Sequence, residues 1–351
     1  MITGNKGEWS EIYVFLKLLF DGRIYSADKY LEKLETYLEV MEIQRQENGE
    51  DEISYFPGQV IRVISDRNTL LEIDRVELEQ IIVELFNRIT QETGTFAIEN
   101  VEDFLFGIFI TRLKAPSGNK TDIKLRVREF VTSIVSTVGF SIKSKLGGLP
   151  TLLNASHATN FIYIIEPPYN HTSIEVREED EGHRIIEILS YLTESGSRIV
   201  FEKMESIIFA ENLTLIDTNM KFILAEMIYI YYTTSRTKSN EILEELIRRN
   251  PLNMPERFYV QKYKDFLYAI ALGLQPTRKW SGEDQATGGY IIVKEDGDIL
   301  AFHLYNRNEF KQYLLESTKF DTPSRSRHGF GVVYEENGNR KIKLNFQIRF
   351  K

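Results

Sequence analysis

The sequence predicts an α/β chain of the α+β kind: a mixed β-sheet nuclease-like core flanked by helices, then a helical segment and C-terminal β-hairpins. Three observations carry this. Apolar residues recur at helical spacing near the start and again through residues 183–272. Short alternating runs between residues 122 and 165 read as strands. Beyond Gly289, Glu295-Asp296-Gly297-Asp298 and Asn337-Gly338 each separate two strand-like runs, as hairpin turns do.

The elements follow in order. Trp9 to Phe20 is apolar almost all round and predicts a buried helix. Asp28 to Gln44, with Leu31, Leu34, Leu38 and Met41 at steps of three and four, predicts a second. Asn48 to Pro57 is polar, ends in Pro-Gly and reads as a loop; Val60 to Ile64 reads as a short strand. Helices are expected over Glu77–Glu92 and Val101–Leu113, then a turn at Ala115–Asn119. Asp122–Arg128, Val138–Lys143 and Phe161–Ile165 are strand candidates, the last closed by Pro167-Pro168; the acidic run Glu178–Glu181 reads as a solvated loop. Four helices follow at His183–Glu194, Met220–Thr233, Glu241–Arg249 and Glu256–Leu272; the last begins after Pro255 and stops at Gly273. Strands at Tyr290–Lys294 and Ile299–Tyr305, a helix at Asn308–Glu316, and strands at Val332–Glu335 and Arg340–Phe350 complete the chain. Its 351 residues suit two domains or one large one, divided softly into residues 1–170 and 171–351, with no clear linker.

Composition narrows the chemistry. Twenty-two Phe and 18 Tyr argue against disorder. The absence of cysteine excludes disulfides, thiolate zinc sites and a cysteine nucleophile, and fits a reducing cytoplasm. No apolar run approaches the ~20 residues of a membrane helix, and Met1 to Lys6 is no signal-peptide start. The net charge of −9 is unevenly spread: residues 1–110 carry −12, 111–165 carry +6, 166–300 carry −8, and 301–351 carry +5. Basic stretches within an acidic chain are the electrostatic footprint of a nucleic-acid partner.

The five histidines have no zincin spacing, and neither a Walker A loop nor a G-x-S-x-G elbow occurs. One constellation remains. Asp122 opens a strand and Ser141-Ile142-Lys143 closes the next, so a hairpin would bring Asp122 and Lys143 to one end. Alternation would put Ser141 and Lys143 on one face and Ile142 on the other. A carboxylate suits Mg²⁺, and a lysine beside it can assist an attacking water; phosphodiester hydrolysis needs these parts. A capped surface hairpin with a solvated lysine has the same spacing. Asp284, His303 and Asp298 make a second possible site; a turn aspartate in an ordinary β unit is the alternative.

Gly139 to Tyr163 (GFSIKSKLGGLPTLLNASHATNFIY) resembles the central block of the HpaII-type type II restriction endonucleases. Gly4–Leu19, Asp284–Phe310 and Lys343–Phe350 resemble the same family, in order and over nearly the whole chain. The resemblance implies a Mg²⁺-dependent endonuclease that cuts double-stranded DNA at a short palindromic site, CCGG for the family's namesake. It also implies a companion methyltransferase and a core similar to the PD-(D/E)XK fold. Asp122 and Lys143 match that pattern, whereas Ser141 stands where an acidic ligand is usual. A replacement carboxylate is then expected, with Glu11 favoured, then Glu8, and with Glu84 and Glu129 also considered; a first-turn acid interacting with the helix dipole is the alternative for each.

Lys145, Thr151, Asn154, Ser156 and Asn160 make a polar stretch suited to phosphates or base edges, and Gly147-Gly148 would let a backbone approach closely. Arg307, Arg325 and Arg327 are further DNA candidates, the last two able to face one way if extended. A palindromic target favours a homodimer, with a monomer or a different partner subunit left open. The competing functions are a non-catalytic DNA-binding protein of the same fold and an RNA-processing nuclease.

Overall fold

The N-terminal helix, Lys6–Asp21, is fixed by its own ends. Asn5 Oδ1 accepts the Glu8 N–H (3.1 Å) and Glu8 Oε2 accepts the Asn5 N–H (2.7 Å), a reciprocal capping box. Gly22 ends it at φ 65°, its N–H returning to Leu18 O. Between these ends Trp9, Ile12, Val14, Leu16, Leu18 and Leu19 are fully enclosed. A helix so nearly apolar all round must be covered on most sides.

The computed structural model describes residues 2–47, 52–65, 68–114, 121–166 and 181–351. The turn at Ala115–Asn119, Pro167-Pro168 and the acidic run as far as Asp180 lie outside them. The chain forms two compact units, residues 1–150 with 284–313 and residues 151–283 with 314–351. Both are discontinuous in sequence, whereas the sequence pattern suggests one soft division near residue 170.

The first unit is built on a nine-stranded sheet. Its order is Arg23–Ala27, Ile299–Phe302, Gly289–Val293, Val135–Ser144, Ile123–Glu129, Lys33–Gln46, Glu52–Phe56, Ile61–Ser65 and Asn68–Ile73. Two pairings are parallel, Gly289–Val293 with Val135–Ser144 and Ile299–Phe302 with Arg23–Ala27; the rest are antiparallel. Arg23–Ala27 also pairs with Lys33–Gln46, so six strands close into a ring. The N-terminal helix and the helix Arg75–Gln91 share one core with the inward residues of this sheet, among them Ile123, Leu125, Ile142, Ile291 and Val293.

The second unit has a four-stranded antiparallel sheet, Arg198–Met204, Phe161–Glu166, Asn339–Leu344 and Val333–Glu336. A three-stranded one joins Thr151–Leu153, Gln347–Phe350 and Thr318–Asp321. Helices Glu181–Glu194, Ile207–Ile216, Met220–Thr233, Ser239–Arg249 and Glu256–Leu272 accompany them. Buried tyrosines tie layers together: Tyr163 donates to Ala225 O and Tyr232 to Asn345 O, both at 2.7 Å.

The mixed sheet and the long helices agree with the sequence, but three assignments change. Asp28–Gln44 is no helix: Asp28 accepts the N–H groups of Tyr30 (2.8 Å) and Glu32 (2.9 Å) in a turn, and Lys33–Gln46 is a strand. A register shift between Val40 and Glu42 breaks its alternation, which hid the period of two. The expected loop at Asn48–Pro57 holds a strand, Glu52–Phe56, with Ile53 and Tyr55 inward. Arg340–Phe350 is two strands in different sheets, separated at the buried Asn345-Phe346.

Candidate active site

Asp122 stands at the mouth of the strand Ile123–Glu129, which pairs antiparallel with Val135–Ser144, Ile123 facing Phe140. Its N–H donates to Phe140 O (2.8 Å). Its carboxylate Oδ2 accepts the Ile142 N–H (2.7 Å) and the Ser141 hydroxyl (3.0 Å). The hairpin therefore forms, and Asp122 lies at the end that carries Ser141 and Lys143. Two donors on one oxygen fix the carboxylate's direction; both fall on Oδ2, not on Oδ1.

The Ile142 side chain goes into the core. Ser141 is buried and registers with Tyr290 on the parallel neighbour. Gly289, at φ +102°, lets the Tyr290 strand close on its other neighbour, where a Cβ would fall 1.9 Å from Phe302 O. The Tyr290 hydroxyl is held protonated by burial and then by the Asp122 charge, and it bonds to Ser141. The Lys143 ammonium lies 5.7 Å from the Tyr290 ring centroid.

Glu11 is a second carboxylate near Asp122. It lines a cleft of about 180 Å³ with Asp122, Phe15, Gln44 and Arg45, and it borders a second hollow with Lys143 and Gly147. Burial, then repulsion by Asp122, pushes its carboxyl up to about 8, against the pull of Lys114, Lys143 and Arg45. Among the described residues no group of three or more acids or histidines is set to hold a metal ion. Asp122 and Glu11 are nonetheless two carboxylates in mutual repulsion, a donor set that a hard divalent cation fits.

Glu8 is already engaged. Burial raises its carboxyl, but the Asn5 N–H and Lys114 (2.9 Å) outweigh this and hold it below the ordinary range. Glu84, on the Arg75–Gln91 helix, accepts from the Asn100 amide. Glu129 accepts the Thr132 N–H at the far end of its strand, about 23 Å from Asp122 at ~3.3 Å per residue. Asp298 and His303 flank the strand Ile299–Phe302, roughly 17 Å apart by the same rise, so they do not form one site. His303 is pushed down to about 4 by burial, against Glu129, and Asp298 belongs to the turn with its N–H on Asp296 Oδ1.

Of the expected DNA contacts, Lys145 lies just beyond Lys143 with its N–H on Val293 O, and Arg307 is exposed at a helix start. In the second unit Asn154 and Arg327 are exposed, Thr151 opens a strand, and Ser156 caps the turn His157–Thr159. Asn160 differs from its expectation: it is fully buried, donating to Glu205 (2.6 Å) and His328 O (2.9 Å) and accepting from Asn345. Arg325 and Arg327 lie on a helical turn, Arg325–His328, so they do not point one way as an extended segment would have them. Sequence reasoning missed Gln44, Arg45, Lys114 and Tyr290. Gln44 ended a segment read as a helix and Arg45 followed it unassigned, and Tyr290 gained its meaning only through a pairing across 149 residues.

The HpaII restriction endonuclease family model matches residues 5–350. The type II restriction enzyme HpaII of Haemophilus parainfluenzae is 41% identical over 355 residues, covering 99% of this chain and 98% of that protein. No solved structure matches. With the match spanning both units, the chain belongs to the HpaII restriction endonuclease family.

Proposed function

We propose that this protein is a type II restriction endonuclease that hydrolyses phosphodiester bonds of double-stranded DNA at a short specific site, with Mg²⁺ as cofactor and a CCGG-like target. The observation that carries the reading is the docking of Asp122 on Ser141 and Ile142, two residues before Lys143 and beside Glu11. Asp122 and Glu11 would hold the ion, which supplies charge neutralisation at the scissile phosphate and acidifies water. A cation there would offset the burial and the Asp122 repulsion that raise the Glu11 carboxyl. Ser141 holds Asp122 in place instead of serving as a ligand. Lys143 brings a positive charge to orient the attacking water and stabilise charge on the phosphate. Water attacks phosphorus, and the P–O3′ bond breaks to leave a 3′-hydroxyl.

A palindromic target is best served by a two-fold dimer, one active site per strand. A methyltransferase acting on the same sequence would protect the host. The test is incubation of phage DNA with the protein and Mg²⁺, followed by sequencing of fragment ends. Discrete ends at one short motif are expected. Binding without cleavage would leave a non-catalytic DNA-binding protein, and preferential cutting of RNA would leave a processing nuclease.

A further inference from the structure

Two turns of the second unit meet at one point. Asn160 joins them: its N–H donates to His157 O (3.2 Å), and its side-chain amide donates to His328 O (2.9 Å). Ser156 and Thr159 close the first turn on itself, Thr159 also reaching Asn345 (2.9 Å). The inward side is thus rigid and satisfied. Outward stand His157 and Arg327, both exposed, and the half-buried His328. The two imidazoles lie edge to face, 6.3 Å between centroids. Gly329 follows at φ +61°, a left-handed conformation that favours glycine, and packs beside the His157 ring.

The charges around these groups are one-sided. The carboxylate facing His157, Glu205, is claimed by Lys343 (2.8 Å) and Asn160. Arg325, on the same turn as His328, bonds to Gly331 O (3.1 Å). His328 is held below the ordinary imidazole range by burial, then by Arg327 and His157.

We propose that His157, Arg327 and His328 form one preorganised contact for a phosphate of the nucleic-acid backbone. The inference rests on the DNA-endonuclease reading and adds a grip in the second unit, whereas Asp122 and Lys143 belong to the first. A phosphate favours this place over a base edge because it brings the negative charge that three crowded donors lack. The His328 imidazole, held below its ordinary range in the free protein, gains a proton more readily beside a phosphate, so affinity rises as pH falls.

The test is fluorescence anisotropy in EDTA, with a labelled duplex carrying the sequence that the wild type cuts and a shuffled duplex of equal composition. Arg327→Ala, on an exposed side chain, is expected to weaken both duplexes by one factor, about three- to tenfold, and to lower the salt slope by about one. His328→Gln is expected to remove the tightening that the wild type shows between about pH 8 and 6, and His157→Gln to weaken both duplexes as Arg327→Ala does. A loss confined to the cut sequence would identify a base contact and overturn the phosphate assignment. So would a wild-type pH profile or salt slope in these variants, with thermal melts showing that they fold. If the wild type cuts at one motif while the variants bind as it does, the phosphate contact alone fails. If the wild type binds neither duplex, the endonuclease reading fails with it.

Discussion

The Ser141 hydroxyl donates to Asp122 Oδ2 at 3.0 Å, beside the Ile142 N–H at 2.7 Å. A serine at the position where the resembled pattern leads to the expectation of an acid thus holds the remaining acid in place. Ser141→Ala leaves the backbone donor, so Asp122 should keep its site but lose its fixed direction. Single-turnover cleavage is expected to fall by up to about a hundredfold, with DNA binding unchanged and a stability loss of about 1 kcal/mol. Quench-flow cleavage and urea unfolding measure the two. A rate equal to wild type would remove Ser141 from the site.

Glu11 titrates in the direction of a buried acid. Its carboxyl is pushed up to about 8 in the folded chain, against 4.5 for an ordinary glutamate. The unfolded chain therefore gives up this proton first as pH rises, and the folded state loses stability between about pH 4.5 and 8, then levels. Glu11→Gln never ionises and escapes that loss. In EDTA it should be more stable than wild type by up to about 3 kcal/mol at pH 7 and by less at pH 5, while cutting is abolished. Melting curves at both pH values decide it; a gap that shrinks as pH rises would contradict the burial of Glu11.

Glu8 gives the contrasting case. Glu8→Gln keeps the cap geometry and loses only the half-exposed Lys114 pair. The cost should be about 0–1 kcal/mol. Because its pKa is depressed, the Glu8 contribution is present above the ordinary glutamate range and disappears as pH falls through the folded value. Cleavage should stay within about twofold of wild type, since the capping box survives. A dead Glu8→Gln beside an active Glu11→Gln would reverse the assignment of the second ligand.

Lys143 is placed by the strand that docks Asp122, with its ammonium 5.7 Å from the Tyr290 ring centroid. Lys143→Ala should lower cleavage by roughly 10²–10³-fold while leaving duplex affinity within a few-fold in a binding assay without metal. Normal cutting would move the catalytic cation elsewhere.

Much of this site was legible in local spacing. Asp122, Ser141 and Lys143 belong to two adjacent strands, so alternation and a short connection place them together. Helices Met220–Thr233 and Glu256–Leu272 match their periodic apolar residues end for end. What failed was non-local. Leu31, Leu34, Leu38 and Met41 mimic a helical stripe, but sheet pairing on both sides of Lys33–Gln46 overrides it. The strand Arg198–Met204 and the helix Ile207–Ile216 went unread although Ser206 caps the latter by accepting the Phe209 N–H. The pairing of Tyr290 with Ser141, and the burial that raises Glu11, depend on partners distant in sequence that no window contains.

Asn160 separates a polar residue in a loop from a polar residue that builds one. It lies in the stretch expected to touch DNA, yet it is fully enclosed, and its amide serves Glu205, His328 O and Asn345 at once. Asn160→Ala would leave the His328 carbonyl and the Asn345 amide without this partner, and would leave Glu205 to Lys343 alone. Buried groups stripped of partners cost about 1–3 kcal/mol each, so the variant should lose roughly 2–4 kcal/mol in urea unfolding. Asn160→Asp should fare worse than its size suggests, because it sets a second carboxylate against Glu205. Duplex affinity, measured below the unfolding temperature, should fall only as far as the two turns loosen, and equally for cut and shuffled sequences. A variant that unfolds like wild type but loses its preference for the cut sequence would return Asn160 to the DNA.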